Sequence, residues 1–414
     1  MNLWKWLGRL CSLTPGTKRL ALKLFYWWKT RRYQKVYVDN CVPEPHTVVF
    51  EAYMGKRYAC SPRALYEAML ADPAYDSWTK VWAFRDPEKY RFLEKDPHTR
   101  VVAWRTADYY RACACAGYWI TNSRMPRELS CRKDQAYIQC WHGTPLKKLG
   151  YDLEQYAEKN STLSEVRENY LAEARRVTHM PSPSPFYTEK MISAFHLEAL
   201  GKEHVFWEQG YPRNDRLFSA GPGECERIRE KLGIPEGKKV ILYAPTWREN
   251  QHEAGAGYTY RNPADFSLWK KMLGKDWIVL FRAHYFIGNS LDLSGVEDFV
   301  RDVSDMDEIN DLYLIADVLV TDYSSVFFDF ANLKRPILFY MYDYRQYREE
   351  MRDFYFDTDL LPGPVFQTQE ALLETFGRLE ETEEEYREKY RRFNSIFNPH
   401  MRVCSGDYLK EWLR

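Results

Sequence analysis

Short apolar runs alternate with helical patterns along most of this 414-residue chain, and this rhythm constrains the fold more than any other feature. The apolar runs have the length of strands, and the segments between them carry apolar residues at helical spacing. Such alternation predicts an α/β fold with parallel sheets, in which helices connect successive strands. The chain also exceeds the size at which one hydrophobic core stops growing, so about two domains are expected.

Residues 41–203 carry the rhythm of one Rossmann-like domain. Helices are predicted over residues 62–71 and 106–116. Predicted strands lie at residues 47–53, 80–84, 100–104, 118–122 and 137–141. Because helical segments separate consecutive strands, we expect a parallel sheet with helices on its faces.

A second series over residues 204–375 repeats the same rhythm after a predicted helix at 186–196. Its predicted strands lie at residues 204–208, 239–243, 277–281, 317–321 and 336–340. We place the domain boundary between residues 201 and 210, where a turn-forming Gly-Tyr-Pro-Arg-Asn segment follows. Residues 376–414 form a predicted helical tail that closes the second domain or crosses back onto the first. Two such halves would hold ligands in the crevice between them, at the carboxyl ends of their strands.

The amino-terminal segment, residues 1–40, is locally basic and aromatic. Nine lysines and arginines precede the first carboxylate, Asp39, and Trp4, Trp6, Trp27 and Trp28 lie among them. No uncharged apolar run is long enough to span a membrane, and no signal-peptide cleavage pattern follows. We therefore expect an amphipathic segment on the anionic cytoplasmic face of the cell membrane. The alternative is a helix that packs on the body of the protein.

Charge and cysteine usage narrow the classes of partner. Lysine plus arginine equals aspartate plus glutamate at 59 each, so no global basic field favours nucleic acid. The nine cysteines are scattered, which is typical of reduced thiols rather than of a disulfide framework. Cys113 and Cys115 lie in a helical pattern and are expected to be buried thiols, so no metal is assigned to them.

His142 is the first candidate for chemistry, because it directly follows the predicted strand 137–141. It begins the loop His142-Gly143-Thr144-Pro145, where the backbone can approach a ligand closely. An imidazole with a reference pKa near 6.5 can accept a proton at neutral pH. The alternative is a loop histidine that bonds only to backbone.

Arg282 and His284 form the second candidate, at the end of predicted strand 277–281. A guanidinium and an imidazolium together suit the paired oxygens of a diphosphate. Arg213 and Arg248 follow other strands of the second half, and we expect them to reach the same rim.

The third candidate is the turn between predicted strand 317–321 and the next helix. Thr321, Asp322, Ser324 and Ser325 provide hydroxyls and a carboxylate there. Amides at a helix start attract phosphate, and the hydroxyls can donate further hydrogen bonds. The alternative is an ordinary serine N-cap without a ligand. Neither GxGxxG nor GxxxxGK[ST] occurs, so nicotinamide and P-loop functions lose their main support.

The segments WHGTPLKKLGYD, GYPRND, YAPTWR, RAH and ADVLVTDYSSVFFDFANLKRPILFYMYDY, with FYFDTDLLPGP, resemble the CDP-glycerol glycerophosphotransferase family of teichoic-acid synthesis. The resemblance covers roughly residues 45–390. It implies a GT-B type fold of two Rossmann-like domains around a central cleft. It also implies a CDP-glycerol donor and a lipid-linked saccharide or polyol-phosphate acceptor.

The resemblance also implies roles for single residues. His142 corresponds to the base that deprotonates the acceptor hydroxyl, and His284 and the 321–325 turn correspond to contacts with the donor diphosphate. Gly143 and Thr144 belong to the same matching block as His142. We expect His142 and His284 on opposite walls of one crevice. No cofactor is assigned, and participation of Mg²⁺ stays open because no dedicated carboxylate cluster stands out.

Other functions remain open at this point. A nucleotide-sugar transferase or a CDP-ribitol enzyme of the same architecture would use the same crevice, because fold alone does not decide function. A non-catalytic membrane adaptor is a further alternative, which the two histidines and the hydroxyl turn disfavour. The single two-domain body resembles enzymes that add the first unit more than long polymerases.

Overall fold

The structure is a computed structural model that describes residues 15–155, 162–246, 252–253, 257–258, 262–282, 292–350 and 353–413. The predicted positions His284 and Arg248 lie outside these residues. The strands, in chain order, are β1 Glu44–Glu51, β2 Thr79–Phe84, β3 Thr99–Ala103, β4 Ala116–Thr121, β5 Ala136–Gln139, β6 Met180–Ser182, β7 Phe206–Glu208, β8 Lys239–Ala244, β9 His252–Glu253, β10 Gly257–Tyr258, β11 Trp277–Phe281, β12 Val300–Asp302, β13 Val318–Thr321, β14 Ile337–Tyr340 and β15 Val365–Phe366.

The α-helices, in the same order, are α1 Pro15–Tyr33, α2 Cys60–Ala71, α3 Ala107–Cys115, α4 Leu163–Arg176, α5 Pro185–Phe195, α6 Asp215–Ser219, α7 Pro222–Lys231, α8 Phe266–Leu273, α9 Ile309–Ile315, α10 Val326–Phe330, α11 Tyr344–Glu350, α12 Gln369–Thr375, α13 Leu379–Phe397 and α14 Ser405–Trp412. Several begin at side chains that satisfy the free amides of the first turn. Ser184, for example, accepts a hydrogen bond from the amide of Tyr187, and Pro185 occupies the first helical position.

The first domain is built on a five-stranded parallel sheet with the order β3-β2-β1-β4-β5. Successive residues of β1 point to opposite faces, so that Val48 and Phe50 pack in one core cluster and Val49 in another. Both faces are covered and the strands are buried, as parallel sheets require. The carboxyl ends of all five strands therefore meet at one edge.

The second domain is built on a six-stranded parallel sheet with the order β12-β11-β8-β13-β14-β15. Ile241 of β8 packs in one core cluster, and Leu242 packs in the cluster on the other face. Two α/β halves around a cleft confirm the predicted fold class. The short edge strands β12 and β15 were not predicted, because two or three residues give no periodic signal.

The expected strand at 204–208 exists as β7, but it does not join the second sheet. It pairs in parallel with β6, which itself follows the edge of the first sheet through a bridge between Ile138 and His179. Placing β7 at the start of the second sheet was therefore wrong. Only three residues of β7 pair, so sequence rhythm could not reveal which partner they have.

The carboxyl-terminal helices do both things that were expected of the tail. Phe393 and Phe397 of α13 pack into the core of the second domain. The chain then returns, and Tyr408 and Trp412 of α14 pack into the core of the first domain beneath β1 and β2. Asp215 accepts hydrogen bonds from the amides of Cys404 and Ser405, which fixes the start of α14.

Residues that follow β1 and β2 of the first domain form hydrogen bonds and an ion pair with the second domain. The guanidinium of Arg57 donates to the carbonyl of Ser304 at 2.9 Å, and the amide of Cys60 donates to Glu308 at 2.7 Å. Asp307 pairs with Lys89 at 3.0 Å. The domains are thus held together at the edge where the strands of the first sheet end.

Helix α1 leaves a hydrophobic stripe exposed. Leu20, Leu24 and Trp27 lie at i, i+4 and i+7 on one face, with exposed fractions of 60%, 58% and 56%. Lys29 holds the helix to the body through Glu128 at 3.2 Å. Within the described residues, no helix has the length and hydrophobicity needed to cross a membrane.

Candidate active site

His142 lies where β5 ends at the cleft, as its sequence position predicted. His142 is partly exposed in this structure. Nδ1 lies 2.9 Å from the carbonyl oxygen of Asn122. Because a carbonyl can only accept, Nδ1 carries the proton in the neutral ring, and Nε2 keeps a free lone pair. This tautomer suits a general base.

The backbone around His142 is held in an uncommon conformation. Trp141 has a φ of 52°, in the left-handed region, and its ring stacks on that of His142 with centroids 4.4 Å apart. The amide of Trp141 donates to the side chain of Gln139 at 2.9 Å. Such strain persists only when the surroundings fix it, and it is concentrated at functional sites.

The charge state of His142 follows from its surroundings. Desolvation by the surrounding protein lowers its pKa from 6.5 to about 4, and the positive charges of Arg213 and Arg124 act in the same direction. The hydrogen bond to Asn122 opposes this shift. His142 is therefore neutral at physiological pH and able to accept a proton.

Gly143 brings the His142 loop into contact with the second domain. Its φ is +153°, and a Cβ atom at this position would lie 2.8 Å from Oγ of Ser325. Only a glycine allows this approach without displacing the serine. The amide of Gly143 donates to the hydroxyl of Tyr211 at 3.0 Å, and that hydroxyl donates to the carbonyl of Cys140. Thr144 is buried behind the loop and does not face the cleft.

The turn after β13 divides into residues that build it and residues that face the cleft. Thr321 is buried and donates to the carbonyl of Ala244 at 2.8 Å. Asp322 is also buried and accepts hydrogen bonds from the amides of Thr246 and Tyr323. Both side chains therefore hold the turn in shape.

Ser324 and Ser325 are half-buried beside the cleft. Ser325 begins α10 but its hydroxyl makes no capping hydrogen bond. Neither serine hydroxyl has a hydrogen-bond partner within the described part of the chain. The expected alternative of an ordinary serine N-cap is therefore not what the structure contains.

Arg213 occupies a different place from the rim position that was expected. Its side chain is 5% exposed, and it pairs with Asp329, which is 4% exposed, at 3.1 Å. It also donates to the carbonyl of His142, while its own backbone contacts Ser61 and Asn310. Burial raises the pKa of Asp329, against the attraction of Arg213. Arg213 thus positions the His142 loop against the second domain.

Arg282 lies after β11, close to Arg57 and Tyr53 of the first domain. It is half-buried after β11, and it donates to the carbonyl of Val303 at 3.3 Å. Burial lowers its pKa, and the neighbouring charge of Arg57 lowers it further. No carboxylate of the described residues lies within ion-pair distance of Arg282. A half-buried cation of this kind favours an anionic ligand.

Two residues of the site were not singled out from the sequence. Tyr53 lies 6.4 Å from His142 between ring centroids, and Arg57 reaches toward Arg282. Both belong to the loop after β1, where Tyr53, Met54 and Gly55 all have positive φ. The signal available in the sequence was the Met-Gly-Lys-Arg segment at a strand end.

The described residues contain no group of three or more His, Cys, Asp or Glu side chains arranged for a metal ion. Asp322, the one carboxylate considered, is engaged by backbone amides. Eight cysteines within this part of the chain are free thiols, and Cys113 and Cys115 are buried.

A family model described as CDP-Glycerol:Poly(glycerophosphate) glycerophosphotransferase matches residues 35–405. A teichoic acid poly(glycerol phosphate) polymerase of Staphylococcus epidermidis is 37% identical over 373 residues, which cover 88% of this chain and 50% of that protein. The chain therefore spans about half the length of this relative. A teichoic acid glycerol-phosphate transferase of Staphylococcus aureus is 36% identical over 363 residues, with coverage of 86% and 90%.

Two solved structures of a teichoic acid polymerase are also similar to this chain. The structure of the wall teichoic acid polymerase TagF is similar to the present one, with a TM-score of 0.84, 34% identity and coverage of 96% and 94%. A histidine-to-asparagine variant of that polymerase was soaked with CDPG and matches equally well, with a TM-score of 0.82.

The buried pair of Arg213 and Asp329 predicts a large and non-additive effect on stability. Arg213→Met leaves a buried carboxylate without its partner, and we expect it to lower the free energy of unfolding by about 3–5 kcal/mol. Asp329→Asn should act similarly, and the double variant should lose much less than the sum. Urea unfolding of the unmodified chain, the two single variants and the double variant measures these changes in the free energy of unfolding. Arg227→Met, at an exposed helix position, is the matched control; additive losses would contradict the pairing.

Proposed function

Because the chain belongs to the CDP-glycerol:poly(glycerophosphate) glycerophosphotransferase family, we propose that it transfers glycerol phosphate from CDP-glycerol to an acceptor hydroxyl and releases CMP. One observation carries the proposal. His142 of the first domain is neutral and has Nε2 free, and the next residue, Gly143, packs against Ser325 of the second domain, whose hydroxyl has no partner in the described chain. The site thus joins a base to a phosphate-binding turn.

The reaction follows from these positions. Nε2 of His142 takes the proton of the acceptor hydroxyl as its oxygen attacks the phosphorus that bears glycerol. A new P–O bond forms, and the bond between that phosphorus and the CMP oxygen breaks. The lowered pKa keeps the imidazole neutral before the reaction, and the Asn122 carbonyl stabilises the imidazolium that forms. CMP leaves with the negative charge.

The second domain would bind the donor diphosphate. Arg282 supplies positive charge from this domain and Arg57 supplies it from the first domain, while Ser324 and Ser325 supply hydroxyls. Thr321 and Asp322 would act indirectly by holding the turn, and Arg213 by holding the His142 loop. His284 and Arg248 remain proposed contacts to the donor.

The acceptor is proposed to be a lipid-linked saccharide or polyol phosphate at the cytoplasmic face of the membrane. The exposed stripe Leu20, Leu24 and Trp27 on α1, with lysines and arginines around it, suits the interface of an anionic bilayer. CDP-ribitol and nucleotide-sugar donors are the alternatives. Measuring CMP, UMP and UDP release from each donor distinguishes them.

Replacing His142 by Asn should abolish most of the transfer. We expect kcat to fall by about 10²–10⁴ while the Kd for CDP-glycerol stays unchanged, because the base acts on the acceptor. In the unmodified chain, a protonated His142 cannot accept the proton of the acceptor hydroxyl. We therefore expect kcat/KM to fall only as pH decreases toward about 4. CMP release across the pH range measures both effects.

His98→Asn is the matched control, since His98 is exposed at the amino end of β3, away from the cleft. It should leave kcat unchanged. An active His142→Asn protein would contradict the assignment of the base, and an acid limb at 6.5 or above would contradict the lowered pKa.

Replacing Ser324 and Ser325 together by Ala should raise the KM for CDP-glycerol by roughly tenfold, since hydrogen bonds to charged groups contribute about 1.5–3 kcal/mol and backbone amides remain. The Tm should not change, because neither hydroxyl caps a helix. Ser395→Ala, exposed on α13, is the control. An unchanged KM with a lowered Tm would mean that the serines serve the fold.

The stripe on α1 should bind anionic vesicles. We expect Leu20→Gln/Leu24→Gln/Trp27→Gln to pellet less with phosphatidylglycerol vesicles and to use a lipid-linked acceptor poorly, while a soluble acceptor analogue is still used. Val42→Gln, at an exposed position outside the helix, is the control. Equal pelleting of variant and unmodified chain would refute membrane contact by this stripe.

A further inference from the structure

Gln139, the fully buried last residue of β5, makes hydrogen bonds to the two segments that orient His142. Its Oε1 accepts from the amide of Trp141 at 2.9 Å, and its Nε2 donates to the carbonyl of Ser123 at 3.2 Å. Trp141 precedes His142 and stacks on its ring. Ser123 follows Asn122, whose carbonyl accepts a hydrogen bond from Nδ1 of the same ring. One side chain therefore reaches both groups that restrict the imidazole.

A buried carboxylate fixes the orientation of the Gln139 amide. Nε2 also donates to Oε1 of Glu173 on α4 at 2.8 Å. A carboxylate accepts and the Trp141 amide donates, so the two ends of the Gln139 side chain cannot exchange without losing both hydrogen bonds. Glu173, whose side chain is 1% exposed, is held in turn by an ion pair with Arg176 and by the hydroxyl of Tyr137. The site thus requires a side chain that both donates and accepts.

The turn that contains the Asn122 carbonyl depends on the same hydrogen bonds. The carbonyl of Ser123 accepts from Nε2 of Gln139 and from the hydroxyl of Thr121, the latter at 2.8 Å. Nδ1 of His142 finds its partner in this turn. A displaced turn would leave the neutral ring free to carry its proton on Nε2 instead.

We propose that Gln139 is a positioning residue for the base, acting through Trp141 and the Asn122 turn. It keeps Nδ1 of His142 protonated, so that Nε2 stays free for the proton of the acceptor hydroxyl. The proposal rests on the proposed function, in which His142 is the base. Because its side chain is fully buried, Gln139 contacts neither substrate. Its loss should therefore reduce the fraction of correctly oriented base and leave donor binding intact.

Replacing Gln139 by Met removes its hydrogen bonds at similar side-chain volume. We expect kcat for CMP release to fall about 10²-fold and the KM for CDP-glycerol to change by less than about twofold, because a small displacement of a catalytic group has an effect of this size. Gln135→Met is the matched control, since Gln135 is also buried, precedes the opposite end of β5 and donates to backbone carbonyls. It should lower the Tm and leave kcat unchanged. Equal losses of kcat in the two variants would mean a purely structural role and overturn the proposal.

The tautomer of His142 can be measured without donor or turnover. Nitrogen-15 NMR of protein labelled at the histidine ring nitrogens distinguishes Nδ1–H from Nε2–H, and a His142→Asn sample identifies the His142 signals. At neutral pH we expect Nδ1–H in the unmodified chain and in Gln135→Met, and a mixture of both tautomers in Gln139→Met. If the unmodified chain releases no CMP from CDP-glycerol, the proposed function fails, while this mixture still supports positioning by Gln139. An unchanged tautomer in Gln139→Met would overturn the proposal.

An exchange of the two buried partners tests the same point if Gln139→Met does not fold. Gln139→Glu alone places a carboxylate against Glu173. Gln139→Glu/Glu173→Gln again pairs a donor with an acceptor at these positions and keeps an acceptor for the Trp141 amide. We expect the exchange to recover the Tm and about tenfold in kcat relative to Gln139→Glu. Recovery of the Tm without any recovery of kcat would assign the pair to the fold alone and overturn the proposal.

Discussion

The buried ion pair between Arg213 and Asp329 is the interaction on which the arrangement of the cleft depends. Its arginine lies in the segment that joins the domains, its carboxylate belongs to α10 of the second domain, and the same guanidinium donates to the backbone of His142. Charges buried to this extent must be paired or they destabilise the fold. Any relative movement of the domains that separated the pair would carry that penalty. The distance between the base and the serine turn is therefore determined by an interaction that touches neither substrate.

The chemistry of the site depends on backbone positions more than on many charged side chains. The carbonyl of Asn122 selects the tautomer of His142, and Gly143 allows the loop to approach Ser325. Trp141, whose backbone is in the left-handed region, stacks on the imidazole. Each of these contacts restricts His142 before any ligand arrives. Preorganisation of this kind lowers the cost of reaching the reactive geometry. The arginines at the cleft add charge to a geometry that already exists.

Much of the fold and part of the site could be predicted from the sequence, for a common physical reason. Buried parallel strands are short and continuously apolar, so β8, β11 and β13 could be recognised, and the residues that follow them were assigned to one edge. His142, Ser324 and Ser325 were placed at the cleft by that argument alone. What failed depended on contacts between distant parts of the chain. The sequence around Arg213 does not show whether this side chain faces solvent or pairs with Asp329. Strand β7 is too short for its sequence to reveal that it pairs with β6.

The return of the chain onto the first domain has a consequence for biosynthesis. Tyr408 and Trp412 of α14 belong to the hydrophobic core beneath the first sheet. During translation the part of this core that α14 covers stays exposed until α14 has been made, long after the strands of the first sheet. Helix α13, which packs into the core of the second domain, is made before α14. The order of synthesis and the order of completion are thus reversed, and the nascent first domain exposes apolar surface for the longer time.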